Sequence, residues 1–309
     1  MPQRHAIQFC VTAAAGLGVP AYIAATRFQP DPSQPTRGVV VLVPGGGFTR
    51  RYFDLEIEGY QNYSAAMQLA RHGWIVVAID NLGTGESTIP ADGEQVTLDR
   101  CAAALAEVIL QLRSQLKSGE LPATKAASAL PVVGVGHSLG ACIITLAQGN
   151  YACCDAVGVL GYSCRYIVGA VDPETGERLR KREFCGSGYN RTTPSSQRER
   201  FYSEQVPKAI IEAEEAARVP MPNGLAEALV PGRSAAAAAR IEVPVLLAFG
   251  ERDVSPNPYD ETRYFHRSKD VTLLILNGAG HAHNSAPERV VFWDRISNWI
   301  VGVTDRHWD

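Results

Sequence analysis

The sequence predicts an α/β fold with a doubly wound, mainly parallel sheet of eight strands. Short, continuously apolar runs alternate with helix-like stretches along most of the 309 residues. Strands without a polar face are typical of a sheet covered on both sides, and alternation with helices indicates parallel pairing. The alternation stops between positions 161 and 240, which indicates an insert.

An N-terminal β-hairpin supplies the first two strands. Apolar residues alternate with small or polar ones on both sides of Gly16 and Gly18, which favours a hairpin over 6–25 rather than a signal peptide. The other strands are predicted at 39–43, 74–79, 131–135, 156–160, 243–249 and 271–276. Helices are predicted at about 61–71, 98–116, 140–148, 259–266 and 287–301.

The predicted sheet and its helices come from residues 1–160 and 241–309, which form the core. Residues 161–240 are then a cap insert, with helix-like stretches at 203–218 and 235–240 separated by segments rich in Gly, Pro, Arg and Ser. A segment of this length outside the alternating pattern is usually functional or disordered.

Charge and composition exclude several classes of partner. The formal net charge is -3, and no apolar run approaches the roughly 20 residues of a membrane span, so neither nucleic acid nor a membrane is expected. The oligomeric state, a homo-oligomer included, stays open. Seven cysteines show no metal-ligand spacing, and Cys153 and Cys154 are adjacent. These features favour a cytoplasmic protein with reduced thiols, no metal and no cofactor.

The strand predicted at 131–135 runs directly into the sequence Gly-His-Ser-Leu-Gly at 136–140. A strand that turns into a helix through one serine strains that residue and leaves its hydroxyl exposed at the sheet edge. Glycines on either side let the strand and helix approach each other. A glycine-rich connecting loop is the alternative, but the flanking strand and helix favour Ser138 as a nucleophile, with the Leu139 amide beside it.

Two further strand ends carry glycine-rich turns. After 39–43 come three glycines and Phe48, so the amides of Gly46 or Gly47 could join that of Leu139 in holding an oxyanion. No Gly-Lys-Ser/Thr follows, which argues against a phosphate loop. After 74–79, the glycine spacing that follows Asp80 predicts a rigid turn, with this carboxylate bonded to backbone amides.

The last two strand ends supply a carboxylate and a base. Asp253 follows 243–249 and is preferred to Glu251, which leaves the strand sooner. His281 follows Gly280 on a glycine-rich segment after 271–276, where we expect it to reach a neighbouring strand end, while His283 could line the pocket. A serine needs a base to take its proton, and that base needs a carboxylate to orient it.

The chain resembles the α/β-hydrolase superfamily over nearly its full length. The resemblance is carried by Gly-His-Ser-Leu-Gly at 136–140, the turn at 80–87, Gly-Glu-Arg-Asp at 250–253 and Gly-Ala-Gly-His at 278–281. Pro44-Gly45 replaces the His-Gly pair that commonly opens the oxyanion loop of this superfamily. A serine nucleophile argues against the dehalogenase and epoxide hydrolase branches, which resemble this fold but use Asp. The resemblance implies acyl chemistry without a cofactor.

These observations predict a serine hydrolase that cleaves a small carboxylic ester or lactone. Ser138 is the nucleophile, His281 the base and Asp253 its orienting carboxylate, with Phe48, His137, Tyr162 and His283 in the substrate pocket. His137 precedes the nucleophile and should point away from it. An acyltransferase or thioesterase with the same triad, and a non-catalytic ligand-binding protein, are the alternatives.

The insert is expected to select the substrate without taking part in bond cleavage. Its aromatic side chains could line an apolar pocket, and its basic side chains could meet a carboxylate. The aromatic candidates are Tyr162, Tyr166, Phe184, Tyr189, Phe201 and Tyr202. The basic candidates are Arg165, Arg178, Arg180, Lys181, Arg182 and Arg191.

Overall fold

A computed structural model describes residues 2–121, 130–170, 172, 174, 182–184, 186–192 and 198–305. The strands are β1 (Gln3–Cys10), β2 (Tyr22–Gln29), β3 (Gly38–Val43), β4 (Trp74–Ile79), β5 (Val132–His137), β6 (Ala156–Leu160), β7 (Arg182–Phe184), β8 (Tyr189–Thr192), β9 (Met221–Pro222), β10 (Val245–Arg252) and β11 (Val271–Gly280). The α-helices are α1 (Thr12–Ala15), α2 (Ala65–Arg71), α3 (Leu98–Ser118), α4 (Leu139–Tyr151), α5 (Arg198–Phe201), α6 (Lys208–Ala216), α7 (Ala235–Ala238) and α8 (Arg289–Thr304).

One eight-stranded sheet forms the centre of the structure. Its strand order is β1-β2-β4-β3-β5-β6-β10-β11. The pairs β1/β2 and β2/β4 are antiparallel, and the other neighbours are parallel. The predicted fold class, a mainly parallel sheet of eight strands, is confirmed, and so is the N-terminal hairpin, although α1 lies in its connection.

Apolar residues pack on both faces of the sheet, which explains why the central strands have no polar face. Along β3, Val39, Val41 and Val43 pack with α3 and α4, while Val40 and Leu42 pack with α2 and α8 on the opposite side. Side chains of successive strand residues point to opposite faces, so an uninterrupted apolar run fills both cores.

Local signals define the helix ends. The hydroxyl of Ser64 accepts from the Met67 amide at 3.0 Å, and that of Thr97 accepts from the Arg100 amide at 3.3 Å, so each caps the helix that follows. Helix α3 ends at Gly119, which adopts the left-handed conformation that favours glycine. None of the helices in the described part of the chain combines the length and apolarity needed to cross a bilayer.

Two strands and the insert differ from the sequence prediction. β10 continues to Arg252 and β11 to Gly280, so the segment 277–280 belongs to a strand rather than a loop, with Gly280 paired to Arg252 after a register shift. The insert contains helices near the predicted places, but also a small antiparallel sheet of β7, β8 and β9. The alternation of such short strands is too brief to register as a pattern in the sequence.

The turn after β4 is structural, as its glycine spacing predicted. Asp80 is fully buried. Its carboxylate accepts from the amides of Arg50 at 2.7 Å and Glu86 at 2.9 Å and pairs with the Arg50 guanidinium. These bonds therefore connect the loop after β3 to the end of β4.

Helix α4 approaches the end of β3 too closely for any side chain at Gly140. A Cβ atom added there would lie 2.1 Å from the carbonyl oxygen of Val43. Gly302, in α8, has no heavy atom within 4 Å of the same position. These two helical glycines therefore form a matched pair with opposite surroundings.

We expect Gly140→Ala to lower the free energy of unfolding by about 1–3 kcal/mol or more, because a backbone atom must move. Gly302→Ala should raise it by up to about 1 kcal/mol, since alanine is the better helix former. Urea denaturation of both variants measures the difference. Equal effects of the two substitutions would show that the contact at Gly140 is not tight.

Candidate active site

The turn between β5 and α4 holds Ser138 in a strained conformation. Its φ is 55° and its ψ is −119°, a region that residues other than glycine rarely adopt. The Ser138 amide donates to the Leu160 carbonyl at 2.8 Å, which ties the turn to β6. Leu139 is the first residue of α4, so its amide has no acceptor within the helix. The hydroxyl and this amide therefore meet at one edge of the sheet.

His281 links Ser138 to Asp253. Its Nε2 lies 2.9 Å from Ser138 Oγ, and its Nδ1 lies 2.7 Å from Asp253 Oδ1. A Cβ atom on Gly161 would come within 2.9 Å of this ring, so the glycine at the end of β6 makes room for the imidazole. His281 was expected on a glycine-rich segment after a strand ending at 276; in the structure the strand extends to Gly280, and His281 directly follows it and is buried.

The insert also holds His281. The amides of His281 and Ala282 donate to the carbonyls of Arg200 and Phe201, both at 2.9 Å. The Phe201 ring packs edge-on against the imidazole, with centroids 4.7 Å apart. The insert thus contacts the histidine segment directly, because α5 supplies it with backbone acceptors.

Asp253 is a buried carboxylate with a full set of donors. The Val254 amide donates to Oδ1 at 2.7 Å, and the Gly250 amide donates to Oδ2 at 2.9 Å. Burial by itself would raise the pKa of Asp253, but the nearby rings of His281 and His283 outweigh it and hold that pKa well below its usual value. The carboxylate is therefore ionised at neutral pH.

Glu251 does not reach the histidine. It is exposed, and its Oε2 accepts from the Gly278 amide at 2.7 Å, across the β10/β11 edge. The structure brings Asp253, and not Glu251, to His281.

His283 lies behind Asp253 rather than in the pocket. Its Nε2 is 2.8 Å from Asp253 Oδ2, and the ring is buried. It is not among the described residues that line the cavity beside Ser138. The expectation that His283 contacts substrate is therefore corrected: the residue is a second imidazole partner of the carboxylate.

His137 packs beneath the site and also lines the cavity. Its ring stacks on Tyr52 with centroids 4.8 Å apart, and its Nε2 donates to the His281 carbonyl at 2.8 Å. Its Nδ1 is buried without a hydrogen-bond partner. Burial, together with the charges of His281 and His283, holds the pKa of His137 well below its usual value. The ring is therefore neutral.

The glycine loop after β3 forms one wall of the cavity. Gly46, Phe48 and Leu139 line it, whereas Gly47 does not. The Gly47 carbonyl instead accepts from the Val219 amide at 2.8 Å, which joins this loop to the insert. Of the two candidate amides, Gly46 is the one whose residue borders the space next to Ser138.

The insert supplies most of the opposite wall. The cavity has a volume of about 70 Å³ and reaches Ser138 and His281. From the insert it is lined by Tyr162, Ile167, Phe201, Glu214, Arg218, Met221, Leu225, Ala228 and Leu229. Tyr162, Phe48 and His137 therefore lie where the sequence predicted a pocket. Among the described residues, no group of three or more His, Cys, Asp or Glu side chains could hold a metal ion.

Glu214 and Arg218 are the charged lining residues that the sequence reasoning missed. They belong to the stretch predicted as a helix, and no local pattern distinguishes them from solvent-facing charges. Of the proposed basic candidates, Arg165 and Arg191 are exposed, Arg178, Arg180 and Lys181 lie outside the described residues, and so does the side chain of Arg182. Of the aromatic candidates, Tyr162 and Phe201 line the cavity; Tyr166, Tyr189 and Tyr202 do not, and the Phe184 side chain is outside the described part.

The similarity to known proteins agrees with this architecture. Residues 40–291 match the alpha/beta hydrolase family, and the chain belongs to this family, which confirms the resemblance found in the sequence. No curated protein matches the chain significantly.

Several solved structures share the fold. A monoacylglycerol lipase from Paleococcus ferrophilus is 19% identical, with 91% of this chain and 98% of that one covered and a TM-score of 0.63. A carboxyl esterase from Bacillus coagulans is 16% identical, with 98% and 99% covered and a TM-score of 0.61. A thioesterase domain from the curacin biosynthetic pathway is 14% identical, with 97% and 99% covered and a TM-score of 0.58. At these identities the likeness shows the fold alone.

The neutral, buried His137 predicts that acid destabilises the protein. An unfolded histidine titrates near about pH 6.5, whereas the pKa of His137 in the folded protein is well below that. As the pH falls, the unfolded state therefore binds the extra proton first. The contribution of neutral His137 to the unfolding free energy is complete above the unfolded-state pKa and is lost progressively below it. Between pH 7.5 and 5.5 the contribution is about 1 kcal/mol.

Urea denaturation at these two pH values tests the linkage. The unfolding free energy should fall between pH 7.5 and 5.5, and this fall should be about 1 kcal/mol smaller in His137→Gln than in the unsubstituted protein. The comparison does not depend on the absolute stability of the variant at pH 7.5. His266→Gln, which changes an exposed histidine, should keep the drop of the unsubstituted protein. An unchanged pH dependence in His137→Gln would contradict the prediction.

Proposed function

We propose that this protein is a serine hydrolase that cleaves a carboxylic ester or lactone through an acyl-enzyme intermediate. The observation that carries the proposal is the continuous hydrogen-bonded chain from Ser138 Oγ through His281 to Asp253, at 2.9 and 2.7 Å. This hydrogen-bonded chain lies at a strained strand-to-helix turn beside a cavity. A nucleophile, a base and a carboxylate in this order are what acyl transfer requires.

In the first half of the reaction, Ser138 Oγ bonds to the substrate carbonyl carbon while its proton moves to His281 Nε2. The resulting oxyanion accepts hydrogen bonds from the amides of Leu139 and Gly46. The carbon–oxygen bond to the alcohol then breaks, and His281 returns the proton to the leaving oxygen. Asp253 stabilises the imidazolium during this interval and keeps Nδ1 protonated.

In the second half, water replaces the alcohol. His281 takes a proton from the water as its oxygen bonds to the acyl carbon, and the collapse of the second oxyanion breaks the bond to Ser138. The serine recovers its proton from His281, and the carboxylic acid leaves.

Residues 161–240 act as the cap of this enzyme, with residues 1–160 and 241–309 as its core. The support is that the insert contributes apolar and charged side chains to the cavity beside Ser138. Because α5 also bonds to the backbone of His281 and Ala282, this cap both shapes the pocket and steadies the base.

Ser138→Ala tests the nucleophile. It should abolish covalent labelling by a fluorophosphonate and lower ester turnover by several orders of magnitude, because members of a triad act as a unit. Ser118→Ala, at an exposed serine at the end of α3, is the matched control and should keep both. A label mapped by peptide sequencing to another serine would exclude Ser138 as the nucleophile.

Product analysis distinguishes hydrolysis from acyl transfer. Formation of a new ester or thioester with an added alcohol or thiol would indicate acyl transfer in place of hydrolysis.

A second set of variants separates the roles around the base. His281→Ala should cost nearly as much kcat as loss of Ser138, and Asp253→Asn should cost far more than Glu251→Gln, whose carboxylate is remote from the base. His283→Ala should lower kcat by about 10-fold to 100-fold, since one hydrogen bond to a charged acceptor is lost. Steady-state kinetics on a chromogenic short-chain ester give both constants for each variant, with circular dichroism as the folding control. If His283→Ala changed KM and left kcat unaltered, His283 would be a substrate-contacting residue rather than a support for Asp253.

A further inference from the structure

Arg218 brings a permanent positive charge to the cavity that holds Ser138. Among the described residues that line this cavity, it is the one Lys or Arg. A guanidinium stays protonated at all physiological pH values. Phe48, Phe201 and Met221 in the same lining are apolar, whereas Glu214 is acidic.

Two aromatic rings fix the position of this guanidinium. Its carbon Cζ lies 4.5 Å from the centroid of Phe48 and 5.4 Å from that of Phe201. The next residue, Val219, donates its amide to the Gly47 carbonyl at 2.8 Å. Arg218 is therefore held next to the loop that contributes Gly46.

In the described part of the chain Arg218 forms no ion pair with a protein carboxylate, although its charge is near enough to Glu214 to lower the pKa of that carboxyl. No carboxylate in this part lies within the 4.0 Å that defines an ion pair, and Arg218 Nε is buried without a hydrogen-bond partner. Glu215, the acidic residue nearest to Arg218 in the sequence, pairs with Arg198 at 2.6 Å. A buried donor of a charged group without an acceptor is costly, and such a group is usually satisfied by a ligand or by water.

Glu214 lines the same cavity but is already engaged. Its carboxyl accepts from the hydroxyls of Ser285 and Tyr202, the latter at 3.1 Å. Burial raises the pKa of Glu214, and Ser285, Arg218 and Tyr202 oppose that rise only in part. The printed hydrogen bonds of the Glu214 carboxyl thus go to two hydroxyls, and Arg218 Nε has no acceptor.

We propose that Arg218 binds a free carboxylate of the substrate, so that the preferred substrates are anionic esters or lactones, such as half-esters of dicarboxylic acids or esters of hydroxy acids. The planar guanidinium matches a carboxylate through two parallel hydrogen bonds. The inference rests on the proposed ester hydrolysis and names its substrate class. The alternative is that Arg218 only joins Phe48 to Phe201 through cation–π contacts.

Two matched pairs of esters test the assignment on the purified full-length chain. Monoethyl glutarate against ethyl pentanoate places the carboxylate on the acyl side, and 3-acetoxypropanoate against propyl acetate places it on the alcohol side. For at least one pair, the ratio of kcat/KM for the anionic ester to that for the neutral ester should fall by about 10-fold to 100-fold in Arg218→Gln. Arg218→Lys should give an intermediate ratio, because lysine retains the positive charge but cannot donate two parallel hydrogen bonds to a carboxylate.

Arg165→Gln is the matched control. Arg165 is an exposed arginine of the same insert, it also packs on an aromatic ring, and it does not line the cavity. This variant should keep the ratio of the unsubstituted protein. If Arg218→Gln lowers kcat/KM equally for the anionic and neutral members of both pairs, or changes neither, Arg218 is a packing residue and the proposal is overturned.

Calorimetric titration of monoethyl glutarate and 3-acetoxypropanoate into Ser138→Ala tests binding without turnover. We expect binding to be lost when Ser138→Ala is combined with Arg218→Gln and kept when it is combined with Arg165→Gln. This result would support the carboxylate site even if Ser138 proves not to be a nucleophile. Failure of fluorophosphonate labelling would instead count against the hydrolase proposal alone. Absence of binding together with unchanged ester ratios would dismiss the carboxylate site.

Discussion

The close approach of α4 to the ends of β3 and β5 is the constraint on which the site depends. A side chain at Gly136 would lie 2.2 Å from the Gly140 carbonyl, and one at Gly140 would lie 2.1 Å from that of Val43. With no room for a wider connection, the chain turns at Ser138 alone and adopts a positive φ there. The same geometry leaves the first amide of α4 unbonded within its helix, next to the glycine loop. The strain thus places a hydroxyl and a free donor together.

Near this turn, two histidine rings pair with one buried negative charge, and the ring of His137 packs against both of them. Asp253 receives two amides and two imidazoles, and this set offsets the cost of burying a carboxylate. His137 lies 4.7 Å from His281 between ring centroids, where a second positive charge would oppose protonation of the base. Because burial keeps His137 neutral, the positive charge that develops in the proposed mechanism falls on His281, next to the carboxylate.

The insert is part of the site and not a separate cover. Carbonyls of α5 hold the backbone of His281, and the Arg200 guanidinium donates to the Asp253 carbonyl at 2.9 Å. The same helix contributes Phe201 to the cavity and to the contact with Arg218. In the proposed function, substrate selection and alignment of the base are therefore coupled, so a change in the insert is expected to affect both.

The amino-acid sequence by itself determined the sheet and the place of three candidate site residues at its edge. Apolar runs such as 39–43 and 74–79 predict buried strands because both faces must pack, and the carboxyl ends of parallel strands meet at one edge, where Ser138, Asp253 and His281 follow. These signals are local, which is why they can be recognised without a structure. Only the tertiary structure decided that His283 supports Asp253, that β11 extends to Gly280, that β7, β8 and β9 form a sheet, and that Arg218 faces the cavity. Apart from the local β7/β8 pair, each of these depends on residues distant in the sequence. The chemistry of a histidine or an arginine is set by the groups that surround it, not by its neighbours in sequence.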